Sequence, residues 1–187
     1  MKLILLLFLI LLTSCGNVKE PPKAVKGILD LRDWDFVRHG PINLSGQWNF
    51  YWGQLKEPKI SKDSDEKTLI NVPGPWLKDE NPQIKRLGFG TYVLEVIGID
   101  TKDALALRVP AVFSSYKLFL VHSTGNRAPI ELFSIGRVSK DVNDSIPNFK
   151  DDVKSFKGSQ RFFLFVQVSN YHFRNGGLHK TPILGLE

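Results

Sequence analysis

Asn170, Tyr171, His172 and Arg174 stand together in the run Ser169-Asn170-Tyr171-His172-Phe173-Arg174-Asn175-Gly176-Gly177. An amide both donates and accepts, a phenol and an imidazole can do either, and a guanidinium donates in a fixed fork. Such a set suits hydroxyls or a carboxylate on a small polar ligand. The run follows directly on an apolar strand candidate, and loops at sheet ends carry function disproportionately. Gly176 and Gly177 allow backbone conformations closed to other residues. The same run also reads as a polar turn returning the chain to its last strand, with Asn170 capping backbone groups. Trp76 poses a similar choice. It follows Val72-Pro73-Gly74-Pro75, a turn-rich stretch leaving a strand. Its indole is either a stacking surface for the apolar face of a sugar ring or part of the core. Trp48 and Phe50, in an aromatic-rich strand candidate, read as core. If the strands ahead of Trp76 and Asn170 run the same way, Trp76, Asn170, Tyr171, His172 and Arg174 meet around one ligand at one end of the fold. If they run oppositely, Trp76 belongs to another end.

Signals for catalysis are weak. The sequence has no Gly-x-Ser-x-Gly elbow, no His-Glu-x-x-His and no phosphate-cradling glycine loop. Among His39, His122, His172 and His179 only the last two are close in sequence, so no metal site and no cofactor is expected. Asp151 and Asp152 are adjacent, and adjacent carboxylates on a strand or loop point apart. They read as solvated surface rather than as a glycosidase pair. The expectation is a protein that is not an enzyme. The net charge of +6 is spread in ones and twos among acidic residues. That pattern suits a solvated surface with some affinity for anionic lipid or polymer, and no motif supports a nucleic-acid partner.

Cys15 is the only cysteine. It closes a run with Lys2 first, then the apolar stretch Leu3 to Leu12, then Thr13-Ser14. This is the layout of a secretory signal peptide, and the stretch is too short to span a bilayer, which takes about 20 apolar residues. Leu12-Thr13-Ser14-Cys15 resembles the lipobox of bacterial lipoproteins. The resemblance implies cleavage before Cys15, lipidation of its thiol and a membrane-anchored chain in the cell envelope, facing the periplasm or the exterior. An ordinary signal peptide with an incidental cysteine is the plainer reading. Residues 1–14 are then the signal peptide, 15–26 a polar, proline-bearing flexible tether, and 27–187 one domain.

That domain reads as all-β. Strand candidates are Ile28–Leu31, Gly46–Gly53, Thr68–Val72, Thr91–Ile97, Leu105–Val109, Tyr116–Val121, Phe162–Val168 and Thr181–Leu184. Tyr92, Leu94 and Val96 share one face. Phe162–Val168 is apolar throughout and reads as a central strand buried on both faces. Trp48 and Leu164 are expected in the core. Ile146–Phe156, with Phe149, Val153 and Phe156, has a weak helical spacing and reads as a single turn or short helix at most. With no cysteine left to pair, the core must hold the domain unaided.

Asp30-Leu31-Arg32-Asp33-Trp34-Asp35-Phe36, Leu44 to Leu55, Val72-Pro73-Gly74-Pro75-Trp76, Gly88-Phe89-Gly90-Thr91-Tyr92 and Val168 to Gly177 occur in an order that resembles the periplasmic sensor module of bacterial DISM receptors, seven-transmembrane receptors with diverse intracellular signalling modules. The order is more distantly similar to the N-terminal sugar-binding-type jelly roll of family-2 glycoside hydrolases. The resemblance implies a galactose-binding-like jelly-roll β-sandwich of two antiparallel sheets, binding a small ligand, a carbohydrate or related polar molecule, outside the cytoplasm. The sequence ends at Glu187 without seven membrane helices. Ligand binding, rather than receptor signalling, is therefore expected to carry over. A second expectation is an interaction lipoprotein that docks on an envelope or signalling protein with no small ligand.

Overall fold

The structure is a computed structural model that describes residues 19–60, 66–76, 81–99, 104–123 and 127–187. Eleven strands and one short helix follow in chain order: β1 Ile28–Asp30, α1 Phe36–His39, β2 Ile42–Asn43, β3 Gly46–Trp52, β4 Thr68–Val72, β5 Gly88–Ile97, β6 Ala104–Val109, β7 Ser115–His122, β8 Ile130–Ile135, β9 Asp152–Lys157, β10 Arg161–Asn170 and β11 Ile183–Leu186. They form a seven-stranded sheet ordered β4-β3-β5-β10-β7-β8, with β1 alongside β5, and a four-stranded sheet ordered β2-β11-β6-β9. Every pairing is antiparallel except that of β1 with β5. The fold is a jelly-roll β-sandwich of the galactose-binding-like type.

Alternation along the strands builds the core. Trp48 and Phe50 on β3, Tyr92, Leu94 and Val96 on β5, and Phe162, Leu164, Val166 and Val168 on β10 all point inward and are buried. They meet Leu105, Leu107 and Val109 of β6 and Leu184 of β11. Each large apolar side chain so buried contributes about 1.5–3 kcal/mol. The buried Trp48 indole N–H donates to the Leu44 carbonyl at 2.9 Å. β10 sits between β5 and β7, and its outward Phe165 joins Tyr51, Val93 and Val121 in a second cluster on the outer face. That cluster is why β10 reads as continuously apolar.

Two expectations need correction. The segment 152–157 is strand β9, paired with β6, not a helical turn. Only Phe156 on it is buried while Val153 is exposed, so an edge strand here imitates a three-to-four spacing. The folded unit also begins before Gly27. Ala24 is buried, donates its N–H to Ser45 O at 2.7 Å and accepts from Gln47 N at 2.8 Å, so the end of the supposed tether belongs to the sheet rim. Cys15 and the signal-peptide segment lie outside the described residues. Among the described residues no helix is long and apolar enough to cross a membrane.

Candidate functional site

Strand register places one set of loops at one end of the sandwich. β10 ends at Asn170 opposite Gly88, where β5 starts, and Ser169 faces Ser115 at the start of β7. β6 ends at Val109 opposite Asp152, where β9 starts. The loops after β3, β6, β8 and β10, and the segment before β5, therefore share this rim. Beneath it the hydroxyls of Ser115, Ser145 and Ser169 form a buried cluster, with Ser115 Oγ and Ser169 Oγ at 2.7 Å and Ser145 Oγ and Ser169 Oγ at 3.0 Å. The cluster ties β7 and β10 to the loop after β8.

Asn170 is buried and closes the turn that follows. Its Nδ2 donates to Phe173 O at 2.9 Å and to Arg86 O at 3.3 Å, and its Oδ1 accepts from Phe173 N at 3.2 Å. Its amide is engaged in shaping the loop, as the polar-turn reading has it. Tyr171 Oη donates to Lys140 O at 2.6 Å. Burial, and secondarily the charge of Asp141, raises the Tyr171 phenol above its ordinary pKa. His172 Nε2 lies 3.0 Å from Ser145 O, which requires the Nε2–H tautomer as donor. These two residues fasten the loop to the 136–151 segment. Arg174 is exposed beside them.

Phe173 lies between them, and it gathers two rings that sequence reading did not assign to a site. The centroids of Phe113, Phe149 and Phe173 are 5.0–5.8 Å apart, in edge and tilted contacts. Phe113 and Phe149 are each 49% exposed, well short of burial. Their sequence signal was an aromatic residue in an otherwise polar or turn-like stretch: Phe113 before Ser114-Ser115, Phe149 between Asn148 and Lys150. Close by, Arg108 and Asp151 pair at 2.9 Å, and Asp151 also accepts from the Ala111 N–H. The Ala111 and Arg108 donors hold the Asp151 carboxyl below its ordinary pKa. On the other side of Tyr171, the loop after β3 and Lys140 line a cleft of about 380 Å³ that includes Gln54, Lys56 and Lys59.

Trp76 is not an open stacking surface. It is fully buried, its Nε1 donates to Tyr92 Oη at 2.7 Å, and it packs against Trp52 at 5.1 Å and Phe50 at 6.1 Å. Gly176 lies on the indole face so closely that a Cβ there would come within 2.1 Å of Cε3. The strands explain why. β4 and β10 run in opposite directions through the antiparallel series β4-β3-β5-β10. Trp76 thus leaves from the far end and turns beneath β3 and β5, where Gly176 O accepts its N–H at 2.9 Å. Of the expected site residues, the rim brings together Tyr171, His172 and Arg174 above Asn170, while Trp76 supports the loop from below.

Among the described residues no group of three His, Cys, Asp or Glu side chains could hold a metal ion. No protein-family profile and no curated protein matches the chain. Solved structures with similar folds include a glycosyl hydrolase family 2 member from Bacteroides cellulosilyticus, at 14% identity and a TM-score of 0.55, covering 78% of this chain and 20% of that one. A β-glucuronidase from Faecalibacterium prausnitzii matches at 14% identity and a TM-score of 0.52, covering 77% of this chain and 31% of that one. A β-D-glucuronidase from Dictyoglomus thermophilum has the same identity and TM-score, with 77% of this chain and 27% of that one covered. The chain spans between a fifth and a third of the length of these proteins, and the likeness is one of fold.

Proposed function

We propose that this chain is a non-catalytic, lipid-anchored binding module of the cell envelope whose ligand is a carbohydrate or a related small polar molecule. One observation carries the reading: three phenylalanine rings from three separate loops meet at one rim, Phe113 and Phe149 half-exposed and Phe173 part-buried, flanked by Tyr171, His172 and Arg174. Exposing such rings in water costs free energy that a sugar's apolar face would recover, while the exposed Arg174 guanidinium can donate to its hydroxyls and the Tyr171 oxygen and His172 Nδ1 can accept from them. The similarity in fold to domains within the glycoside hydrolases supports the same ligand class. Asp151 and Asp152 do not suit the part of a general acid. A general acid needs a raised pKa, whereas the carboxyls of Asp151 and Asp152 are both lowered. The anchor is the acylated Cys15. A sensor role, with this module reporting to a separate envelope signalling protein, follows from the resemblance to receptor modules.

Screening the purified chain on a glycan array and titrating the best ligand by calorimetry tests the reading. Phe149→Ala and Arg174→Ala should each weaken binding about tenfold or more, equivalent to about 1.4 kcal/mol, with little change in melting temperature. No glycan bound by the parent, together with capture of a specific envelope protein that Phe149→Ala abolishes, would replace this reading with the docking one. An exposed aromatic patch is compatible with that second role.

A further inference from the structure

We infer that the rim opposite the phenylalanine cluster lies against the lipid bilayer, with α1 as its contact; this rests on the reading of Cys15 as lipidated. β1 runs parallel to β5 and ends with Asp30 beside Ile97, at the far end from Gly88. The ten residues of β5 separate the two rims by about 30 Å of strand. The chain enters the described structure at this far rim. Lys19 Nζ donates to the carbonyl of Asp33, and Ala24 is held between Ser45 and Gln47. From Cys15 to Lys19 is four residue steps, at most about 14 Å when fully extended. An acyl group on Cys15 therefore keeps the Asp33 turn close to the headgroups.

The surface found at that position carries apolar, aromatic and arginine side chains beside the exposed Asp33 and Asp35. Val37 is 81% exposed, the most exposed large apolar side chain among the described residues. It projects from α1, whose start is fixed by the Asp35 carboxylate accepting from Val37 N and Arg38 N. Trp34 and Phe36 are part-buried beside it, and the Trp34 indole donates to Gly40 O at 3.1 Å. These side chains, with Arg32 and Leu186, line a cavity of about 320 Å³. The Arg32 and Arg38 side chains are 72% and 81% exposed, each paired with a neighbouring aspartate at the surface. Aromatic and apolar side chains bordered by arginine are what the headgroup region accommodates. One anchor point leaves a domain free to tumble, while a second contact gives it an orientation. Docked on α1, the domain holds the Phe113–Phe149–Phe173 rim away from the bilayer and open to ligand.

Because Cys15 is the only cysteine, and acylation blocks it, single spin labels can be introduced by Val37→Cys and Val142→Cys. Val142 is exposed on the loop after β8 at the opposite rim. The acylated full chain is placed in vesicles of phosphatidylethanolamine and phosphatidylglycerol, and relaxation by oxygen is compared with relaxation by a water-soluble nickel chelate. The label at Val37 should favour oxygen several-fold over the label at Val142. Equal, water-like ratios at both sites, with mass spectrometry showing Cys15 acylated, would overturn the docking and leave the anchor standing. A chain carrying no acyl group on Cys15 removes both. Melting curves matching the parent establish that both variants are folded.

Discussion

His122 is a buried imidazole whose charge state the fold controls. It is 6% exposed and shares a hydrogen bond of 2.9 Å with Ser159 Oγ. Burial first, and the nearby Arg127 charge second, lower its pKa from the ordinary 6.5. The unfolded chain takes up a proton as pH falls through 6.5 while the folded chain does not, so stability is full above that value and declines below it. Thermal melts between about pH 7 and pH 5 should therefore show a falling melting temperature, and His122→Gln should flatten that slope. An unchanged slope in the variant would assign the pH response elsewhere. Asp30, Asp151 and Asp152 also have lowered pKa values, and their contributions are lost in a separate window, below 3.8. At this scale the polar chemistry of Asn170 was open in the sequence, as ligand contact or as cap. Three backbone partners make it the cap. Arg174 keeps its freedom because the loop turns its side chain outward. That direction is set by neighbours distant in the chain, not by the run itself.

The segment from Asn170 to Leu178 is the element on which the site depends. It leaves β10 at one rim and runs back into the sandwich, where Gly74 N donates to Leu178 O at 2.8 Å and Trp76 N to Gly176 O at 2.9 Å. Gly176→Ala should force the indole of Trp76 aside, an overpacking that costs about 1–3 kcal/mol. The melting temperature should fall, and ligand affinity should fall with it as the loop shifts. A variant that melts like the parent would mean that the indole is not packed on this glycine. The strands β3, β4, β5, β6, β7 and β10 were legible because their buried faces alternate and glycine or proline bounds several of them. β8 was not, because its pairing with β7 slips at Leu118 and Phe119, and Leu132 and Phe133 are buried in succession. Such a bulge erases the period of two on which sequence reading relies. β9 failed for the complementary reason: an edge strand with one buried residue carries almost no pattern.

For the whole molecule, the two rims differ: the Phe113–Phe149–Phe173 cluster stands at one, the start of the described chain and the exposed Val37 at the other. Cys15→Ser should leave the precursor uncleaved by lipoprotein signal peptidase and shift the chain out of the detergent phase. Unaltered processing and partitioning would remove the anchor from the proposal. The all-β class and the inward faces of the long strands were determined by the sequence itself, since each is a local periodicity that neighbouring residues express without help. The meeting of Phe113, Phe149 and Phe173, and the burial of Trp76 against a glycine 100 positions away in the numbering, were decided only by the tertiary structure. Both depend on which strands pair and in which direction they run, and that choice is made by long-range packing of the two sheets, for which no short run of residues carries the information.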